Sequence, residues 1–174
     1  MTQLDGTGLK RLHREWRRRT TGRVALVLDS VQNPFNVGAI VRTAAAERVD
    51  HIWITAGGTT PDHEKVAKTA LGTDRYVTWS IVADGAAAIA AADAAGFQPV
   101  AIELTRDAVP LPELDLAADV ALVLGHEDRG VAGATLSACD AVGYIPQLGR
   151  VGSLSVAAAA AIAIYEVRRR QWTS

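Results

Sequence analysis

Taken as hydrophobic and polar positions alone, the chain alternates short apolar runs with longer stretches of helical period. Val24–Asp29 (VALVLD) is apolar without interruption up to its last residue, the pattern of a strand covered on both faces. Leu9, Leu12 and Trp16, spaced by three and four, predict an amphipathic helix over residues 8–20. Further helices are expected over 37–47, 62–71, 84–95 and 153–172, the third stopped by Gly96. Further strands are expected over 51–55, 75–80, 98–103, 119–124 and 140–145. Pro110 and Pro112 predict irregular chain around them, and Gly125, Gly130 and Gly133 a loop. Strands alternating with helices imply an α/β fold with a mostly parallel sheet flanked by helices. Ligands of such sheets bind beyond the carboxyl ends of the strands. Three stretches with unusual chemistry leave those ends, at 30–42, 125–133 and 146–155.

Length and composition narrow this only a little. The 174 residues suit one domain, and the 49% hydrophobic content, mostly Ala and Val, predicts a core of small, closely packed side chains. The net charge of −1 argues against a strongly basic nucleic-acid binder, but the distribution changes that. Lys10, Arg11, Arg14, Arg17, Arg18, Arg19 and Arg23 are opposed locally only by Glu15, and Arg168, Arg169 and Arg170 form a second cluster. The near-neutral total is therefore expected to hide two basic ends. Cys139 is the sole cysteine, so no intrachain disulfide forms. No apolar run reaches the ~18 residues of a membrane span, and no signal-peptide core opens the chain. A cytoplasmic protein without membrane association is expected. His13, His51, His63 and His126 lack metal-ligand spacing, and no metal is expected.

Each of the three stretches admits a plain reading and a functional one. In DSVQNPFNVGAIVRT, Gly38 allows another backbone to approach, and Arg42 can hold a phosphate as a bidentate fork. The plain alternative is a capped helix with a surface arginine. LVLGHEDRGV is not a phosphate loop, since Val131 and Ala132 stand where Lys and Ser/Thr are needed. Its two carboxylates suit a cationic or neutral ligand, or a solvated surface turn. In IPQLGRVGSLSVAAAAAIAIYE, Gly149 and Gly152 loosen the backbone and Ser153 is placed to cap the next helix. No G-x-G-x-x-G or G-x-S-x-G motif is present, which counts against a nucleotide-dependent oxidoreductase and a hydrolase.

In this order and spacing, the three stretches resemble the SpoU/TrmH family of RNA 2′-O-methyltransferases, within the knotted SPOUT superfamily. The resemblance rests on Asn36, Gly38 and Arg42, on Gly125, Glu127 and Gly130, and on Ile145, Pro146, Gly149, Ser153, Leu154, Ser155, Val156 and Ala157. Ser155 and Ala157 depart from the family's Asn and Ser. The resemblance implies a C-terminal trefoil knot in a domain over 23–174, preceded by a basic helical extension over 1–22. It implies S-adenosyl-L-methionine held by Thr55, Ala56, Gly57, Leu124, Gly125, Glu127, Ile145, Gln147, Leu148, Ser153 and Leu154. It implies Asn36, Arg42, Glu127, Ser153 and Ser155 as the catalytic set. Arg42 would hold phosphate and hydroxyl, Asn36 would orient the ribose or Arg42, and Glu127 would hold Asn36 or Arg42. A homodimer built on the Ala-rich face of the last helix is implied too. The substrate would be tRNA or rRNA, contacted through Arg14, Arg17, Arg18 and Arg19. A non-catalytic RNA-binding or assembly factor on the same fold is the alternative, favoured only by Ser155 and Ala157.

Overall fold

A computed structural model describes residues 3–172. It contains helices α1 (Gly6–Arg19), α2 (Pro34–Ala46), α3 (Glu64–Ala70), α4 (Gly85–Ala94), α5 (Gly133–Ala138) and α6 (Val156–Gln171). The strands are β1 (Val24–Asp29), β2 (Ile52–Thr55), β3 (Trp79–Val82), β4 (Gln98–Ile102), β5 (Val109–Pro110), β6 (Val120–Gly125) and β7 (Ala141–Tyr144). They form one sheet in the order β3-β2-β1-β6-β4-β7-β5, and every pairing is parallel.

The central pair is β1 and β6, in register from Val24 opposite Val120 to Asp29 opposite Gly125, and buried along its whole length. Alternate residues serve opposite faces. Val24, Leu26 and Leu28 pack with Val37, Ile40, Val41, Val66, Ala160 and Ile164 beneath α2, α3 and α6. Ala25 and Val27 pack with Ala88, Ile89 and Ala92 of α4. Two close approaches need glycine. A Cβ on Gly38 would lie 2.6 Å from Thr69 Cβ, where α2 meets α3, and one on Gly85 would lie 1.8 Å from Thr135 Oγ1. The close backbone approach expected at Gly38 is therefore present.

Several boundaries differ from expectation. Of the stretch 75–80 only Trp79 and Ser80 are strand: after left-handed Leu71 and Gly72 the chain makes a 3₁₀ turn at Asp74–Tyr76, and β3 begins at Trp79. Pro110 ends a short edge strand, β5, where a proline without N–H is tolerated. The loop expected around Gly133 contains α5, which has no capping side chain to announce it. The last helix starts at Val156, because Ser155 and not Ser153 caps it, accepting from the Ala158 amide at 3.2 Å.

The second basic cluster is also corrected. Arg168 is buried, and its guanidinium donates to the carbonyls of Glu47 (2.9 Å), Arg48 (2.6 Å) and Gly22 (3.3 Å) and to Gln171 Oε1 (2.7 Å). Burial lowers its pKa, partly opposed by Asp50 and Glu47. Arg169 and Arg170 both pair with Glu166, and Arg170 also donates to Leu114 O at 2.7 Å. Arg168 and Arg170 tie α6 to the domain, while the Arg169 pair stays within the helix. No helix among the described residues is long and apolar enough to cross a membrane.

Replacing Arg168 with Met should destabilise the fold by about 3 kcal/mol, since buried carbonyls lose their donors. Urea unfolding checks this; a loss below about 1 kcal/mol would mean that water reaches those carbonyls.

Candidate functional site

The order of strands reverses beside β1 and β6: the chain leaves β1 toward β2 on one side, while β4 lies beyond β6 on the other. Loops leaving such a pair open a crevice at the carboxyl edge of the sheet. Both loops there are held by side chains. Ser30 takes a left-handed conformation (φ 62°), fixed by a hydrogen bond from its amide to Thr55 Oγ1 at 2.8 Å. That turn sends the chain into α2, which Asn33 caps by accepting from the Phe35 amide at 2.9 Å and the Asn36 amide at 3.4 Å.

The loop after β6 closes on itself, His126 and Gly130 exchanging main-chain hydrogen bonds of 3.0 and 2.8 Å around Glu127, Asp128 and Arg129. Gly130 is left-handed (φ 69°). Gly125 must be glycine, because a Cβ there would lie 2.1 Å from the Gly130 carbonyl carbon. Two carboxylates from neighbouring strands pin the far side. Asp29 Oδ2 accepts from the Ala132 amide (3.1 Å) and Thr135 Oγ1 (2.8 Å), and Glu103 Oε2 from the Val131 amide (2.9 Å).

The hairpin presents Glu127 to the start of α2. Its carboxylate accepts from the amides of Asn33 (2.9 Å) and Gln32 (3.2 Å) and from Asn36 Nδ2 (3.2 Å). Partial burial pushes its pKa up, but the hydrogen bonds together outweigh burial and leave the net shift downward. Of the two partners expected for Glu127, the structure supplies Asn36. Arg42 is exposed and makes no hydrogen bond or ion pair with any described residue. Six residues along α2 set its side chain about 120° around the helix from that of Asn36.

Two cavities lie along this edge of the sheet, only the first of them lined by the β6 hairpin. One of about 480 Å³ is lined by Asn33, Phe35, Lys65, His126, Glu127 and Asp128, among others. The other, of about 160 Å³, lies beyond β4 and β7 and gathers Ile145, Gln147, Ser153 and Leu154. Thr55, Ala56, Gly57, Leu124, Gly125, Glu127 and Leu148 do not line it, Glu127 lining the larger one instead. The Thr55 hydroxyl is committed to Ser30, Leu124 lies in the core, and Leu148 is fully exposed. Thr55–Gly57 end β2, and β1 and β6 stand between that strand and β4, a separation of roughly 14 Å. Ser155 is occupied as a helix cap. Glu103, Leu104 and Tyr144 line the smaller cavity and were not expected from any motif. Their only sequence signal is their place at strand ends.

The smaller cavity has a mixed apolar and polar lining. Ile145, Leu154, Leu104 and Ala159 supply apolar walls, and Glu103 is its one charged lining residue. From Gln147 to Leu154 no main-chain amide donates to a main-chain carbonyl among the described residues, leaving donors for a ligand. Cys139 is no candidate nucleophile: burial, with Asp140 nearby, pushes its thiol up to about 12. On α1, Arg14, Arg17 and Arg18 are exposed, while the Arg19 guanidinium lies 4.5 Å from the centre of the Trp16 ring.

The sequence pattern of the SpoU rRNA Methylase family matches residues 23–165. The chain is 35% identical over 147 residues to the 23S rRNA (guanosine-2′-O-)-methyltransferase RlmB of Acinetobacter baylyi, covering 84% of this chain and 59% of that protein. The AdoMet-bound rRNA methyltransferase of Sinorhizobium meliloti superposes with a TM-score of 0.81 at 29% identity, over 89% of this chain and 59% of that one. The TrmH/SpoU tRNA modifying enzyme of A. aeolicus superposes at 0.76 and 28% identity, over 93% and 83%. The chain thus spans under two thirds of the A. baylyi relative's length.

Glu127→Gln tests the clamp on α2. The folded carboxyl titrates below its ordinary 4.5, so its contribution is present above that pH and lost as pH falls through the lower folded value. The variant should be less stable by about 1 kcal/mol near neutrality, discounted for exposure, with the difference vanishing in acid. A difference independent of pH in thermal unfolding would contradict this.

Proposed function

Because the chain belongs to the SpoU rRNA Methylase family, we propose that it transfers the methyl group of S-adenosyl-L-methionine to a ribose 2′-hydroxyl of tRNA or rRNA. The observation that carries this reading is the convergence on Glu127, which joins Asn36 of the first motif to the hairpin of the second at the edge of the larger cavity. Ile145, Gln147, Ser153 and Leu154 hold the cofactor in the smaller cavity, with Leu104 as an added wall. When bound, the cofactor supplies an activated methyl on a sulfonium, so no metal is called for.

The chain's own residues position the acceptor. Glu127 fixes Asn36, whose remaining amide capacity orients the ribose. Arg42, exposed and unengaged among the described residues, holds the adjoining phosphate and stabilises charge on the reacting oxygen. A guanidinium holds its proton too firmly to serve as a base, so electrostatic positioning is its role. Ser153 completes the pocket.

A homodimer and a C-terminal trefoil knot belong to the same reading. Leu9, Leu12 and Trp16 of α1 and Ile162 and Tyr165 of α6 are exposed, an apolar surface that a second copy would cover. Trp16 packs on Trp172 at 4.9 Å and Tyr165 on Trp172 at 5.4 Å, so the two helices offer this surface together. Residues 1–22 act as the RNA-contacting extension of a catalytic unit over 23–174, working in the cytoplasm.

Arg42→Ala should abolish transfer of a labelled methyl to RNA while leaving cofactor affinity, measured by calorimetry, within about twofold. Equal loss of both would assign Arg42 a structural part. Replacing Arg14, Arg17 and Arg18 with Ala should weaken RNA binding and lower its salt dependence by up to about three units of slope. Unchanged affinity would make α1 a dimer element only.

A further inference from the structure

We propose that the cavity between the start of α2 and the β6 hairpin seats one unpaired nucleotide, with Phe35 as its stacking platform and Lys65 on its phosphate. This rests on the RNA reading above and adds the form in which the RNA is taken: single-stranded or flipped out of a helix.

Phe35 is the second residue of α2, immediately before Asn36, and is 58% exposed. The apolar residues that follow it, Val37, Ile40 and Val41, are fully buried. The ring therefore serves no core. It borders a cavity of about 480 Å³, within the range of small-ligand sites. Lys65 of α3 borders the same cavity and makes no ion pair among the described residues.

The charges choose between ligands. The Glu127 carboxylate already accepts from Gln32, Asn33 and Asn36, which use most of its acceptor sites and offset its charge locally. Asp128 is exposed, and its carboxylate has no hydrogen-bond donor among the described residues. A continuous duplex phosphate rail would meet Asp128 in repulsion. A single nucleotide satisfies the whole set: its phosphate meets Lys65, its base amino or imino hydrogens meet Asp128, and its ring face meets Phe35. Bases in a duplex bury their faces against one another, so only an unstacked base can offer one. Stacking on an aromatic ring also tolerates any base.

The test uses the full chain and fluorescence anisotropy with a short unstructured RNA, alone and annealed to its complement. Phe35→Ala should weaken single-strand binding at least about fivefold, leave duplex binding within about twofold, and be restored by Phe35→Trp. Lys65→Ala should lower the salt slope for the single strand by about one unit. No loss for Phe35→Ala, an equal loss for both RNA forms, or no rescue by Trp would overturn the proposal. A wild-type protein that binds neither RNA form would instead overturn the RNA reading on which it rests.

Discussion

The loop after β6 has little apolar content of its own to bury, and its shape depends on carboxylates accepting main-chain hydrogen bonds. Asp29 and Glu103, at the ends of strands on either side of β6, hold its far limb through Ala132 and Val131. Glu127, at its tip, reaches back to the amides that begin the loop into α2. Hydrogen bonds to ionised acceptors are shorter and stronger than neutral ones, so three such groups rigidify a loop that has little packing. Gly125 and Gly130 are the steric condition for this arrangement, since the hairpin folds back where a side chain would stand. The larger cavity, and the convergence of Asn36 with Glu127, follow from it.

The sheet explains why these groups meet although Asp29, Glu103 and Glu127 are far apart in sequence. Parallel pairing brings every strand's carboxyl end to one edge, where Asp29 lies opposite Gly125 and Glu103 follows directly on the end of β4. Arg168, buried against the end of α2, anchors α6, the helix that follows the loop 147–154. The domain is thus stiff behind the site, while the stretch from Gln147 to Leu154 keeps its amides free. Binding energy there is not spent in breaking existing main-chain bonds.

Much of this was legible in the chain. The run Val24–Asp29 was read to the residue, because two-sided burial leaves an unmistakable apolar stretch. The three motif loops were placed correctly at strand ends, and the Glu127–Asn36 contact was one of two pairings considered. What escaped has physical causes. The stretch from Arg75 to Ser80 has strand-like residues, but left-handed Leu71 and Gly72 force a turn first. Six-residue α5 lacks a capping side chain and a full apolar period. Arg168–Arg170 looked like a cationic surface because composition does not show that helix periodicity turns Arg168 inward and sets the other two beside Glu166. Glu103 and Leu104 belong to no motif, and only the sheet order brings them to Ile145 and Leu154.

The central claim concerns which atom of RNA receives the methyl group. The most direct measurement is to incubate the protein with RNA and methyl-labelled S-adenosyl-L-methionine, digest to nucleosides, and identify the labelled species by mass spectrometry. The account predicts label on a 2′-O-methylnucleoside, with no label on any base. A protein that binds the cofactor yet leaves the RNA unlabelled, or that labels a base, would contradict it.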